Sequence, residues 1–460
     1  MPECPACARG PIRPVTGHIG SSVQIDKSGV SAVAGLRTNV SARTPAALGT
    51  FSQLLLLALA MAAGGYARTI VSPLQEAIRL ALSLSDNEIA LLQGPALGIP
   101  LAIAAIPLGF LIDRYSRARL LLGLTVLNLT GSFATALVTK FTLLFGARCL
   151  VGLAGYATVP VVLSLLADHY PPAQRGRATM VVSVGQVAGN SAAFALGGFL
   201  LGAAGSHAEG WRWAMVWLTT PLIAVTIFTM LLREPLRTDT SLQRPSVIES
   251  IVELWVFRSK LVPLLLGYLM VETAIGAVLV WSAPTFSRTY ALSPTHIGAI
   301  MATALLVSGL LGPVVGGIVG DLSQRVGGPR LTGLALAAFA ALASPAGIFP
   351  ILDGAVSAGV FLVVFLTISL AIAVMGLALF TIVIPNELRG LCISLVVAIN
   401  IMFAIGFAPV VVSLLSGAIG GISQIGVALA LTCVTTSILA SGCFAFARTN
   451  LPQVAGETQQ

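Results

Sequence analysis

Charge is what this chain has least of. Asp, Glu, Lys and Arg make up 9% of its 460 residues, where soluble domains carry roughly a quarter. Apolar residues make up 56% and the mean hydropathy is +0.95, a balance that excludes an ordinary water-soluble domain and makes lipid the solvent. Histidine is nearly absent. His18, His169, His207 and His296 are scattered and none sits on an H-E-x-x-H spacing, so no zinc or nucleophile constellation emerges and the chain does not read as an enzyme. The Gly-rich loop that cradles nucleotide phosphates is missing too, which leaves a gradient or an exchange to drive any transport. Cysteine is sparse: Cys4 and Cys7 form a lone C-x-x-C without a second ligand pair, while Cys149, Cys392, Cys433 and Cys443 fall in apolar runs where a thiol is a small packing residue. No disulfide framework, metal or other cofactor is expected.

What is abundant is uninterrupted apolar sequence. A run of about 18 residues or more can cross a hydrocarbon core about 30 Å thick. Twelve such runs recur, at 50–80, 86–112, 118–139, 142–168, 175–204, 211–232, 261–287, 294–320, 328–348, 354–383, 390–417 and 422–447. Their length and lack of alternation predict helices, not barrel strands. Charge placement orients them. With the N-terminus in the cytoplasm, nineteen of the 25 Lys and Arg fall in the tails and inner loops, four (Arg79, Lys140, Arg212, Arg288) fall outside, and two (Arg68, Arg148) fall within helices, as the positive-inside rule requires. The net charge of +8 therefore reflects orientation and gives no nucleic-acid footprint. The expected layout is a flexible cytoplasmic tail over 1–47, a six-helix bundle over 48–233, a cytoplasmic linker over 234–260, a second six-helix bundle over 261–448 and a tail over 449–460. In the linker, Ser246 and Glu249 match a capping box, and Val247, Ile248, Ile251, Val252, Leu254 and Trp255 keep helical spacing, which predicts an amphipathic helix on the inner membrane surface.

The two bundles are copies of one unit. Gly109 to Arg117 and Gly317 to Arg325 both read G-x-[LV]-x-D-x-x-x-R, 208 residues apart, and Pro171 to Gly176 and Pro385 to Gly390 both read P-x-x-x-R-G, 214 apart. Gly109 and Gly317 permit close backbone approach, and Asp113 and Asp321 can hold a helix N-terminus or a basic partner. With Arg114, Arg117 and Arg325 they are candidates for gating at the cytoplasmic side; the plainer alternative is that the arginines only satisfy topology. The duplicated loops resemble the signature of the major facilitator superfamily, and Arg148-x-x-x-Gly152-x-x-Gly155 is similar to its second signature. Tyr66 to Ser72, Leu84-Ser85-Asp86, Trp211 to Ala214, Arg233-Glu234-Pro235 and Trp281 to Pro284 look like the spinster-like branch. The resemblance implies an all-α integral membrane fold, twelve transmembrane helices in two pseudo-symmetric six-helix bundles, working by alternating access. It also implies lipid-like amphiphiles as solutes. This chain departs from the branch in having Ala67 and Gly155 where an Asp and a Glu associated with proton coupling are usual.

Ionisable residues inside the membrane are the best candidates to meet solute, because a lone arginine at the bilayer centre costs about 2.5 to 3.5 kcal/mol. Arg68, Arg148 and Glu272 are so placed, and Glu272 is the candidate coupling acid. Three plainer roles compete: Arg148 as a donor to backbone carbonyls, Arg68 paired with Glu76, and Glu272 paired across the bundle or protonated. Tyr66, Tyr156, Gln186, Asn190, Tyr268, Trp281 and Asn400 are secondary candidates. The expected protein is a monomeric secondary transporter of a small organic solute, anionic or amphipathic, bathed in membrane lipid and drawing on protons or a counter-solute. A bacterial cytoplasmic membrane with both termini inside is expected. The alternatives are a proton-coupled exporter of hydrophobic drugs and a non-transporting membrane sensor with the same fold.

Overall fold

Residues 47–205, 209–235 and 252–452 are described by the computed structural model, so the C-x-x-C, His18, His207 and the 246–249 capping box lie outside the described residues. The first helix, α1 (Ala47–Thr69), loses its regular course at a 3-10 turn, Ser72–Leu74, where Pro73 supplies no N–H, and resumes over Gln75–Ala81. The second, α2, starts on a capping box in which Ser85 and Glu88 satisfy each other's backbone N–H groups; it bends at Gly94 before Pro95 and ends at Arg114. Then follow α3 (Arg117–Leu137), α4 (Phe141–His169), α5 (Pro172–Ala204) and α6 (Gly210–Thr229).

The second half opens with α7 (Arg258–Tyr290). A helical run Pro294–Ala346 follows, which at about 1.5 Å per residue is far too long for one crossing. Gly328 divides it. With φ 64° and ψ −157°, followed by Pro329, its backbone is one that only glycine adopts readily. The run is therefore two helices, α8 (294–327) and α9 (329–346). Among the described residues eleven stretches are long and apolar enough to span a membrane, one of them holding this pair, so the crossings number twelve. The remaining helices are α10 (Ala355–Val383), α11 (Asn386–Ile419, widened to a π-helix over Asn400–Ile405) and α12 (Ile425–Asn450). Both copies of the repeated motif, expected in loops, lie largely on helix ends: α8 runs seven residues past the expected boundary at 320 and carries Gly317 to Arg325 with it. Of the linker, Val252, Trp255 and Val256 are exposed and Leu254 is buried.

Water drives none of the packing between lipid-embedded helices, so small residues that let backbones approach do the work. Gly185 and Gly189 of α5 rest on the Ala58 and Ala62 carbonyls of α1, while α7 packs on α12 and α8–α9 on α10. The seam between halves is asymmetric along its length. Near the α1–α2 and α7–α8 connections Gly94 of α2 meets Gly406 of α11, and Gly198 of α5 meets Gly298 of α8, with no room for a Cβ. At the opposite ends of the same four helices, Gly109, Gly176, Gly317 and Gly390 would present a Cβ to open space. We call these the latch end and the motif end: the halves meet closely at the first, and these four glycines make no such contact at the second.

Candidate functional site

Arg68 sits in the last turn of α1 and is 8% exposed. Its Nη1 donates to the Gly155 carbonyl at 2.7 Å and its guanidinium lies 4.1 Å from the centre of the Tyr156 ring. Both contacts answer a buried cation without a carboxylate. They also explain Gly155: a Cβ there would fall 2.8 Å from Arg68 Cγ, so Gly155 is the floor on which the arginine lies. Glu76, a candidate partner from sequence, is beyond the 3-10 break and pairs with Arg79 and Arg288 instead. Arg148, 1% exposed, donates its Nη2 to the Arg68 carbonyl (2.8 Å) and to Gln93 Oε1 (2.9 Å), while Gln93 Nε2 donates to Ser72 Oγ and Gln75 Oε1. Arg148 thus stands behind Arg68 and fixes its backbone. Gln93 escaped the sequence reading, although an amide inside an apolar run before Gly-Pro was a signal.

A cavity of about 190 Å³ joins these residues to the other half: Arg68, Tyr156, Gln186 and Asn190 line it on one side and Glu272 of α7 on the other. Asn190 Oδ1 accepts from Thr69. Tyr268 and Asn400 neighbour the Glu272 carboxyl. The π-helical widening begins at Asn400, and such widenings recur at functional sites. Tyr66 and Trp281 are elsewhere: they donate to the Leu218 and Pro409 carbonyls in buried packing.

A second cavity of about 230 Å³ at the latch end is lined by Ser72, Glu76 and Ser287 among others. Ser72 borders both, so the partition between them is thin. Beside it Arg288 of α7 makes paired bonds to Asp86 (2.8 Å each) and reaches Glu76 at 2.7 Å, while Arg79 holds Glu76 from the other side. Two acids of one half thus grip an arginine of the other, each partner 10–22% exposed. Sequence placed these charges near the outer face and offered Glu76 to Arg68, but did not join Glu76 and Asp86 to Arg288.

At the motif end the two copies differ. Arg117 is buried and binds Asp168 at 2.5 Å and Glu234 at 3.0 Å, tying α3 to the end of α4 and to the segment after α6. Gly109, Asp113 and Arg114 are exposed on α2. Asp321 and Arg325 are exposed on α8, and among the described residues no ion pair involves either; Gly317 lies on the same helix. Burial pushes the Glu234 carboxyl up, but the Ala118 N–H, Arg117 and the Ser116 hydroxyl hold it below the usual carboxylate range. A carboxyl lowered on folding contributes stability that is full above its unfolded value and lost as pH falls through the folded one. Thermal unfolding should therefore move to lower temperature below about pH 4.5, and Glu234→Gln should lose up to about 1 kcal/mol at neutral pH, solvent screening the exposed carboxyl, while flattening that acid slope. An unchanged slope in the variant would dissociate Glu234 from it.

Two six-helix halves meeting around a polar cavity define a multi-pass integral membrane protein of the two-halved class. The Major Facilitator Superfamily model matches residues 57–409, and the chain belongs to that family. A bacterial homolog of the human lysosomal transporter Spinster, crystallised inward-facing and unoccupied, superposes with a TM-score of 0.74 at 20% identity, covering 87% of this chain and 97% of that one. The D-xylose-proton symporter superposes at 0.65 with 15% identity, covering 85% and 97%. Among curated relatives, the efflux pump radE of Floropilus chiversii is 34% identical over 26% of this chain and 21% of its own length. The triacylglyceride transporter of Mycobacteroides abscessus is 30% identical over 48% and 41%. This chain thus spans less than half of either curated relative.

Proposed function

We propose that the protein is a secondary transporter that moves a small organic solute, anionic or amphipathic, by alternating access, with the motif end in the cytoplasm. The observation that carries this reading is Arg68: a buried guanidinium, carried on a backbone carbonyl and an aromatic face, that lines a cavity shared with the other half. A positive charge kept in lipid without a carboxylate partner suits a solute that brings one. The tight glycine contacts and the Arg288 ion pairs at the latch end, with no such contact at the four motif-end glycines, support reading this as an inward-facing state. Arg117, Asp113, Asp321 and their neighbours would then steer the rocking of the halves at the inner side. With Ala67 and Gly155 in place of the branch's acids, Glu272 is the acid of the central cavity available for coupling. Export of hydrophobic compounds is a second reading, supported by the relative named as an efflux pump.

Uptake or counterflow of radiolabelled organic anions in proteoliposomes tests the proposal. Saturable flux of an anion supports it, flux of neutral dyes alone favours the exporter, and no flux across both panels favours a sensor. Topology has its own test. In a chain freed of native cysteines, single cysteines replacing the exposed Leu80 and Tyr115 (63% each) should label from opposite faces of the membrane, Tyr115 from the cytoplasm; labelling from one face would defeat the arrangement.

A further inference from the structure

Arg68 and Glu272 come from opposite halves and line one cavity, yet among the described residues no ion pair joins them. Each is thus a desolvated ionisable group facing a shared space, and the other does not pair with it. On the positive side the amides of Gln186 and Asn190 border the cavity beside the guanidinium. On the negative side the neighbours of Glu272 are the neutral Tyr268 and Asn400, and Asn400 Oδ1 is buried without a partner. The Tyr268 hydroxyl and the Asn400 amide offer this carboxyl neutral donors, but among the described residues no positive charge pairs with it and the Asn400 acceptor stays unpartnered. An ammonium, with three N–H donors and no acceptor, supplies the charge to Glu272 and a donor to Asn400 Oδ1.

Resting on the transport reading above, we propose that the solute is a zwitterion whose anionic group lies on Arg68 and whose ammonium lies against Glu272 and Asn400. The cavity, about 190 Å³, has the room of about six waters, enough for an amino-acid-sized solute or for the zwitterionic head of a single-chain lipid. Because its two ends grip different halves, such a solute draws the halves together as it binds. A molecule with one charge grips one half only. Specificity and closure are then one interaction, since the ligand binds the closed cavity better than the open one.

The test uses the purified full chain and three sets of probes: straight-chain ω-amino acids of three to eight carbons, the carboxylates and amines of matching length, and lysophosphatidylethanolamine. Thermal shift gives an apparent affinity for each. One ω-amino acid length, or the lysolipid, should bind at least tenfold tighter than its singly charged analogues; which of the two does so separates a free solute from a lipid head. Glu272→Gln should bring the zwitterion-to-carboxylate affinity ratio close to one. Glu272→Asp, which keeps the charge but retracts it by one methylene, should keep the preference and lengthen the best ω-amino acid by about one carbon, an effect that a merely structural Glu272 would not produce. Carboxylates that bind as tightly as every zwitterion, or a ratio unchanged in Glu272→Gln, would overturn the zwitterion while leaving an anion transporter standing. Binding of no probe in any set would overturn the cavity reading itself.

Discussion

Arg68→Ala should abolish binding of anionic solutes. A charge-assisted hydrogen bond is worth about 1.5 to 3 kcal/mol, so loss of a two-pronged guanidinium contact should weaken binding by roughly a hundredfold or more. The folded protein should survive the change, because Arg148 binds the backbone carbonyl of residue 68 and not its side chain, and that carbonyl remains. Arg68→Lys should restore only part of the affinity: an ammonium keeps the charge but loses the planar fork. Equilibrium binding to the purified variants measures both. Normal affinity for anions in Arg68→Ala would remove the residue from the site.

The second large effect is expected at the latch. Arg288 is the residue of the second half that holds both Glu76 and Asp86, and breaking a largely buried pair by removing one partner costs about 3 to 5 kcal/mol. Were even half of that felt in the balance between states, Arg288→Ala would shift the closed-to-open ratio of this end by about tenfold or more. A single cysteine at Ser287, which lines the latch-end cavity, should label several times faster from that side in the variant. Removing one acid at a time, as Glu76→Gln or Asp86→Asn, should have smaller effects because the other still holds the arginine. Labelling at the wild-type rate in Arg288→Ala would mean that the glycine crossings of α5 with α8 and α2 with α11 hold this end shut unaided.

The helices were legible because lipid imposes one rule, a long apolar run with every backbone group satisfied internally, and twelve runs met it. Most of their ends agree with the structure to within about four residues. Where the reading slipped, at the end of α8, the cause was a charged motif taken as a loop although its residues continue the helix to a glycine turn. Arg68, Tyr156, Gln186, Asn190 and Glu272 were legible as polar residues in apolar surroundings, and the fold brings them to one cavity. What sequence could not separate was role. Arg148 and Arg68 look alike in the chain, yet one braces and the other faces the cavity, a difference set by which side of the α1–α4 contact each occupies. The latch was hidden for another reason: Arg288 is 202 residues from Asp86 and 212 from Glu76, and only the closing of the halves makes them neighbours.

The unequal fate of the two motif copies bears on how a doubled molecule moves. In the first, Arg117 cross-braces three segments through Asp168 and Glu234, and that half resists shear as a triangulated frame does. In the second, Arg325 carries no such strut among the described residues, and α11 has a widened turn at Asn400. If the halves rock as proposed, deformation should gather in the less braced body, with the first half as the anvil and the second as the spring. Two copies of one motif thus differ in their ion ties, and the bending would fall to the half whose copy lacks them among the described residues.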